Sequence, residues 1–227
     1  MAEEEGDDEL LRIARTPAWK ATHAAAAALR SADDVSLLAL ACTSELIALN
    51  VADYSAWGWR WRCVAASGPS PVLLRSELSY TAALAGSAPK SYQLWNHRRL
   101  VAGAIGSGAA DGELSFTAQL LAGDAKNYHA WAHRGWAVRA WSKAEGERVF
   151  TGEHIAADAR NASAWHARFA ALSSAGLLRG TVLAEEAAFA AEKVGHDPHN
   201  RAARAYAEAL HRLVEPTNEP ISEPIQK

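Results

Sequence analysis

Apolar residues recur at helical spacing along most of this chain, and the apolar stretches come in pairs separated by glycines and polar residues. The first predicted helix begins after Thr16-Pro17, since proline favours a first helical position, and runs to about Arg30. The next covers about 35–49. The others alternate, with second helices of a pair at about 53–65, 91–105, 127–141 and 161–173 and first helices at about 73–85, 111–122, 143–157 and 181–194. The pattern predicts an all-α chain of helical hairpins.

A short phrase recurs at the start of four of these helices. Each copy contains a Trp followed three residues later by an Arg: Trp57 and Arg60, Trp95 and Arg98, Trp131 and Arg134, Trp165 and Arg168. Successive Trp residues of this series are 38, 36 and 34 positions apart. That period is typical of solenoids of helix pairs, because one pair cannot bury its own apolar face. The predicted fold class is therefore an all-α, right-handed α-α superhelix, a crescent-shaped solenoid of helical hairpin repeats.

A fifth, less regular copy follows in HDPHNRAARAYAEAL, with Arg204 where the Trp would stand. A polar residue there suits a capping repeat that faces water. The predicted repeat domain spans 13–213 and holds about five helical pairs. The acidic segment 1–12 and the tail 214–227, with its three Glu-Pro steps, are expected to be disordered.

The residues of the phrase have a structural interpretation. Asp53, Ser91, Asn127 and Asn161 open the copies, and their side-chain oxygens suit the N-cap of a helix. Each repeat Trp is expected to pack between neighbouring helical pairs. Each repeat Arg is expected to stack on that Trp or to bond a carbonyl of the adjacent turn. The four Trp and four Arg are therefore predicted to build the fold.

Basic residues precede three of the copies and form the candidate functional feature. Lys90, Lys126 and Arg160 occupy equivalent positions, so a solenoid would place them along one edge beside helix amino termini. Such termini attract phosphate groups. Tyr92, Tyr128 and His129 add donors to the same row. The alternative, that Lys90 and Lys126 are solvated loop residues, stays open at this point.

Composition excludes several classes of protein. A formal net charge of −3 gives no reason to expect nucleic-acid or membrane binding, and two cysteines are too few for a disulfide framework. No apolar run approaches about 20 residues, and the acidic start is unlike a signal peptide. His97 and His133 are expected to pack against the next repeat, and no metal-binding, phosphate-loop or nucleophile-elbow motif occurs. We therefore expect a cytoplasmic protein that is not an independent enzyme.

The segments KSYQLWNHRR and DAKNYHAWAHRGWAV resemble the repeats of the protein prenyltransferase α subunit. The resemblance covers about 13–210 and is greatest to the α subunit shared by farnesyltransferase and geranylgeranyltransferase type I. It implies a crescent wrapped around a β subunit that carries the catalytic Zn²⁺. The heterodimer would transfer a farnesyl or geranylgeranyl group from its diphosphate to the Cys of a CaaX-box protein, with Mg²⁺ assisting, and the α chain would be inactive alone.

The resemblance also implies site residues. Lys90 matches the lysine that contacts the diphosphate leaving group, with Tyr92 beside it. Asn127, Tyr128 and His129 match the residues that face the active site and the CaaX peptide, preceded by Lys126. Lys90 and Tyr128 are thus expected to act in catalysis, and the other four to bind substrate. No metal ligand is expected in this chain.

The sequence departs from the family pattern at several places. Ser91 replaces the usual Asn, and the first phrase has Asp53 and an extra Trp59. The family's proline-rich amino-terminal region and its last helical pairs have no counterpart, so either a truncated gene model or a shortened homologue is expected. Two alternatives remain: a non-catalytic helical-repeat adaptor derived from this family, and the α subunit of the Rab-directed geranylgeranyltransferase.

Overall fold

A computed structural model describes residues 15–68 and 70–214. The acidic segment 1–12 and the tail after Val214, both predicted to be disordered, lie outside the described residues. Within the described ranges the chain is helical and has no β-strand. The prediction of an all-α fold is confirmed.

Eleven α-helices and one short 3₁₀ helix, Gly106–Ala109, make up the described part of the chain. The α-helices are α1 Pro17–Ser31, α2 Leu37–Leu49, α3 Tyr54–Ala66, α4 Pro71–Ser87, α5 Tyr92–Ile105, α6 Ala110–Gly123, α7 Tyr128–Ala140, α8 Ala144–Ala157, α9 Ala162–Ser174, α10 Gly180–His196 and α11 Arg201–Val214.

These helices fall into two compact units, 1–106 and 107–227, each described here by itself. In the first unit α2 packs on α3 and α4 on α5, α1 lies against α2, and α3 contacts α5. In the second unit the hairpins are α6–α7, α8–α9 and α10–α11, and the second helices α7, α9 and α11 contact one another in sequence. Each predicted pair is thus a real hairpin.

The second helices begin where the repeated phrase begins because its first residue is an N-cap. Asp53 accepts hydrogen bonds from the amides of Ser55 and Ala56, and Asn127 and Asn161 do the same in their helices. Ser91 caps α5 through a single bond from the Leu94 amide, at 3.4 Å. Side-chain acceptors satisfy amides that would otherwise have no partner in the first turn.

The four repeat Trp side chains are buried, with 2–6% of their surface exposed. Each indole Nε1 donates a hydrogen bond of 2.8–2.9 Å to the carbonyl six residues before it, which belongs to Val51, Pro89, Ala125 or Ala159. The rings of Trp131 and Trp165 also contact the next helical pair, at Phe150 of α8 and Phe189 of α10. The indole therefore fixes the loop before its own helix, and in these two repeats its ring also joins the next repeat.

The repeat Arg side chains are buried too, and the main partner of Arg60, Arg134 and Arg168 is a Glu from the next helical pair. Arg134 forms a two-bond ion pair with Glu147, at 2.6 and 3.0 Å. The same pairing joins Arg60 to Glu77 and Arg168 to Glu186. The guanidinium groups stack on Tyr80, Phe150 and Phe189. The stacking partner is thus a ring of the next pair and not the repeat Trp, because the Arg must reach across to the buried carboxylate.

The third guanidinium nitrogen bonds a carbonyl on the other helix of its own hairpin, 20 residues earlier, and not the expected carbonyl of the adjacent turn. Arg98 Nη1 donates to the Leu78 carbonyl at 2.8 Å and to Thr81 Oγ1 at 3.0 Å. The other three Arg residues make the same two bonds, with Thr43, Thr117 and Thr151 as the hydroxyl partners. Each of the four repeat Arg residues is thereby bonded within its own repeat. Arg60, Arg134 and Arg168 are also bonded to the following one.

Candidate functional site

Lys90 lies on a tight turn directly before α5, and its side chain is exposed. The turn closes through a bond from the Ser91 amide to the Ala88 carbonyl, at 3.1 Å. The Pro89 carbonyl, part of the same peptide unit as the Lys90 amide, accepts from Trp95 Nε1 at 2.8 Å. Ser91 Oγ reaches back to the Val51 carbonyl at 3.4 Å. The exposed Lys90 side chain thus extends from a backbone that is held at several points.

Tyr92 follows as the first residue of α5 and keeps 67% of its surface exposed. Tyr54 occupies the equivalent first position of α3 and is 80% exposed. Between these helices lies a cleft of about 480 Å³. Its walls come from the two tyrosines and from Trp57, Gly58, Trp61, Gln93, Asn96, His97 and Leu100. Aromatic walls with a few amide groups suit an apolar ligand segment that also needs hydrogen bonds.

His97, at the base of this cleft, is buried and paired. Its Nε2 lies 2.8 Å from Glu77 Oε2, and its ring contacts Trp57. Because an ionised carboxylate can only accept, the Nε2 atom carries the proton, and Nδ1 is left without a hydrogen-bond partner. Burial lowers the pKa of His97 even though Glu77 acts to raise it, so the ring is neutral. His133 makes the same contact with Glu113, at 2.6 Å.

The remaining predicted site residues lie at the start of α7, in the second unit. Asn127 is buried, and its Oδ1 accepts from the amides of His129 and Ala130. Tyr128 is 66% exposed, and His129 is half-buried, with its ring centre 5.6 Å from that of Tyr128. Asn127 therefore forms the cap, and Tyr128 and His129 present their polar atoms at the helix start.

The predicted row of cations is partly neutralised by acidic residues of the following loop. Lys126 Nζ lies 3.1 Å from Asp158, and the hydrogen bond from Lys126 lowers the pKa of that carboxyl. Arg160 donates two bonds to Asp197, at 2.7 and 2.9 Å. Both pairs are exposed, so each contributes little to stability. Arg160 thus connects two loops, and Lys126 shares its charge with Asp158.

Sequence reasoning missed the buried Glu residues, which belong to a second recurring phrase. Glu77, Glu113 and Glu147 each precede by four positions the Thr that bonds a repeat Arg, in ELSYT, ELSFT and ERVFT. The spacing of the acidic, aromatic and hydroxyl residues in these segments was the available signal. Glu77 bonds His97 at the cleft between α3 and α5 without lining that cleft, and Glu113 and Glu147 bond His133 and Arg134, respectively.

Among residues 15–68 and 70–214, no group of three or more His, Cys, Asp or Glu side chains could hold a metal ion. Within the same ranges, none of the helices combines the length and the apolar character needed to span a bilayer.

The chain is similar to known proteins along most of its length. Residues 37–67, 74–105 and 110–141 match the protein prenyltransferase alpha subunit repeat. The protein farnesyltransferase/geranylgeranyltransferase type-1 subunit alpha of Schizosaccharomyces pombe is 29% identical over 101 residues, which are 44% of this chain and 33% of that protein.

A chain in the solved structure of Candida albicans protein geranylgeranyltransferase-I complexed with GGPP superposes with a TM-score of 0.80. The two are 26% identical, and the match covers 88% of this chain and 68% of that one. The aligned segment spans about a third of the curated S. pombe relative, and the fold match about two thirds of the solved chain. Three repeat matches, a curated α subunit and a shared fold agree, and the chain is similar to the α subunits of protein prenyltransferases.

Proposed function

We propose that this chain is the α subunit of a heterodimeric CaaX protein prenyltransferase. The observation that carries the proposal is Lys90, an exposed cation on a held turn beside the exposed Tyr92, inside a segment that matches the family repeat. The similar Candida albicans protein is a geranylgeranyltransferase-I complexed with GGPP, and the similar S. pombe protein is a subunit of a type-1 enzyme. In the proposal the partner is a β subunit, and the substrates are a prenyl diphosphate and a CaaX-box protein.

The proposed role of Lys90 follows from the charge changes of prenyl transfer. The bond between C1 of the prenyl group and the diphosphate oxygen breaks, while a bond forms from the cysteine sulfur to C1. The departing diphosphate gains negative charge, so an ammonium group directed at it stabilises the transition state more than the ground state. Tyr92 and Tyr128 are proposed to donate hydroxyl hydrogen bonds nearby, with Lys126 and His129 contacting substrate and Asn127 holding the helix start.

The metal chemistry belongs elsewhere in this proposal. Zn²⁺ in the β subunit would bind the acceptor thiolate, and Mg²⁺ would assist the diphosphate oxygens. In this proposal the contribution of this chain is to place a cation and hydroxyl groups at the leaving group.

Co-expression with a farnesyltransferase β subunit from the same source tests the proposal. The complex that copurifies is expected to transfer a farnesyl or geranylgeranyl group to a CaaX peptide, while the chain alone is expected to transfer neither. Lys90→Ala should lower kcat by about 100-fold with little change in peptide KM, because the lost contact forms mainly in the transition state.

Lys20→Ala is the matched control, since Lys20 is an exposed lysine of α1. It should leave kcat unchanged. A chain that does not bind any β subunit would refute the proposal and favour a repeat adaptor. Equal turnover in Lys90→Ala and Lys20→Ala would refute the role of Lys90 alone.

A further inference from the structure

The side chain of Trp95 ties the turn that carries Lys90 to the helix behind it. Trp95 Nε1 donates to the Pro89 carbonyl, and the Pro89 oxygen and the Lys90 nitrogen belong to one planar peptide unit. A bond of 2.8 Å to that oxygen therefore restricts the rotation of the whole unit. The position from which the Lys90 side chain departs is set by this bond together with the Ser91–Ala88 turn bond.

The same bond recurs before the other basic residues of the series. Trp131 Nε1 donates to the Ala125 carbonyl, directly before Lys126, and Trp165 Nε1 to the Ala159 carbonyl, directly before Arg160. In those two loops an Asn side chain of the next repeat, Asn161 or Asn200, donates to the same carbonyl as well. The hydrogen bond from the indole thus recurs in these three repeats, and in each it restrains the peptide unit that precedes a basic residue.

Trp95 itself cannot be a contact residue for an outside ligand. Only 5% of its surface is exposed, and its indole lies behind the turn. Burial also means that water cannot readily replace the indole donor at the Pro89 carbonyl. Any influence of Trp95 on a ligand must therefore pass through the turn.

We propose that Trp95 is a positioning residue for Lys90: its indole N–H holds the Pro89–Lys90 peptide so that the ammonium group meets a diphosphate. This inference rests on the proposed function, because it requires that Lys90 bind a diphosphate. A small displacement of a binding group can lower its effectiveness many-fold. Trp95 acts through Lys90 and touches no reacting atom.

The test uses the full chain in complex with its β subunit and the substitution Trp95→Phe, which keeps an aromatic ring and removes the N–H group. Hydrogen exchange at the Ser91 amide reports the turn, and the Kd of inorganic diphosphate reports the site. We expect exchange at Ser91 to accelerate about 10-fold and the diphosphate Kd to rise about 10-fold. Peptide KM should stay within about twofold, as expected for a role limited to the diphosphate.

Trp165→Phe is the matched control, because Trp165 makes the same bond to the Ala159 carbonyl before Arg160. It should accelerate exchange at the Asn161 amide, which closes the equivalent turn on the Asp158 carbonyl at 2.9 Å, and leave the diphosphate Kd unchanged. If Trp95→Phe fails to assemble, benzothienylalanine at position 95 preserves the ring shape and replaces only N–H by sulfur.

A double-mutant cycle with Lys90→Ala tests whether Trp95 affects diphosphate binding through Lys90. In the Lys90→Ala background, Trp95→Phe should change the diphosphate Kd by less than twofold. A full 10-fold effect there, or unaltered exchange at Ser91, would overturn the positioning role while leaving the proposed function standing. Accelerated exchange at Ser91 with the same Kd in wild type, Trp95→Phe and Lys90→Ala would overturn both, since Lys90 would then not bind diphosphate.

Discussion

At the scale of single residues, the repeats are held together by buried ion pairs. Arg134 and Glu147 are 5% and 2% exposed, and the guanidinium also stacks on Phe150 at 3.4 Å. Removing two charges from water is costly, and the geometry offsets that cost only when both partners are present. Such a pair specifies how adjacent helices meet. When one partner is lost, the unpaired buried charge that remains destabilises the fold.

Glu147→Gln should therefore destabilise the chain by about 3–5 kcal/mol, because it leaves a buried guanidinium without a counter-charge. The measurement is the free energy of unfolding of the chain in complex with its β subunit, or of the chain alone if it is stable. Glu153→Gln is the control, since Glu153 is an exposed residue of the same helix α8. The double variant Arg134→Met, Glu147→Met should recover most of the loss. Equal stability of Glu147→Gln and Glu153→Gln would contradict the assignment.

The sequence predicted the Trp and Arg residues of this network and not the Glu residues, for a geometric reason. The Arg-to-Thr spacing inside a hairpin is 17 residues in all four repeats. The Arg-to-Glu spacing crosses the loop to the next hairpin and is 17, 13 or 18 residues. A pair that spans a loop of variable length has no fixed spacing, so the recurring phrase marks the Glu residues and only three-dimensional packing shows which Arg each one pairs with.

At the scale of elements, the loops between repeats are joined through the capping residues. Asn161 Oδ1 caps α9, while its Nδ2 donates to the Ala125 carbonyl at 2.9 Å, one repeat earlier. Asn200 does the same with the Ala159 carbonyl, at 2.7 Å. Ser91 has only one oxygen for both tasks, and its bonds to Leu94 and Val51 are 3.4 Å long. Asn is thus the better residue at this position because its acceptor and its donor are two separate atoms, whereas Ser uses a single oxygen for both bonds.

Two substitutions at Asn161 separate these tasks. Asn161→Ser keeps an N-cap oxygen and weakens the loop-to-loop bond, so it should cost about 0.5–1.5 kcal/mol, the value of one hydrogen bond. Asn161→Ala removes both and should cost about 0.5–2 kcal/mol more. Urea unfolding of both variants measures the difference. If Ser and Ala cost the same, capping would contribute nothing and the interpretation of the repeated Asn would be wrong.

The starts of the repeat helices were predictable to within two residues. The second helices begin within one residue of the prediction, because Asp53, Ser91, Asn127 and Asn161 mark them. The first helix α4 begins at Pro71, two residues before its predicted start, although Ser70 caps it, and α6 begins one residue before its predicted start without a side-chain cap. The positions of Lys90 and Tyr92 at a helix start could be predicted in the same way, because these residues flank the cap residue Ser91.

At the scale of the whole molecule, the buried His97 and the buried carboxylates determine how the free energy of unfolding changes in acid. Burial lowers the pKa of His97 below its ordinary 6.5, and it lowers that of the half-buried His154 in the same way. Although burial opposes the effect, hydrogen bonds from His97 and Arg60 lower the pKa of Glu77 below 4.5, and bonds from Arg168 and Tyr206 do so for Glu186. Two separate pH windows of instability follow.

In the first window the unfolded chain binds protons that the folded chain excludes. Below pH 6.5 an unfolded His97 is protonated, whereas the folded ring, with Glu77 and Arg60 facing it, stays neutral down to its lowered pKa. Stability therefore falls with pH from about 6.5, by at most about 1.4 kcal/mol per pH unit for this one group. In the second window, below 4.5, protonation of Glu77 and Glu186 removes the ion pairs, so stability falls again as pH passes their folded pKa values.

The prediction is an acid-unfolding profile with two descending parts, measured as the free energy of unfolding between pH 8 and pH 3. His97→Gln keeps a donor for Glu77 and cannot titrate, so it should flatten the slope between pH 6.5 and 5 and leave the slope below 4.5 in place. His199→Gln, at an exposed position of the last loop, is the control and should change neither. If the wild-type free energy of unfolding is constant from pH 7 to pH 5, His97 is protonated as easily in the folded chain as in water. That result would contradict the assignment of His97 as a neutral, buried ring.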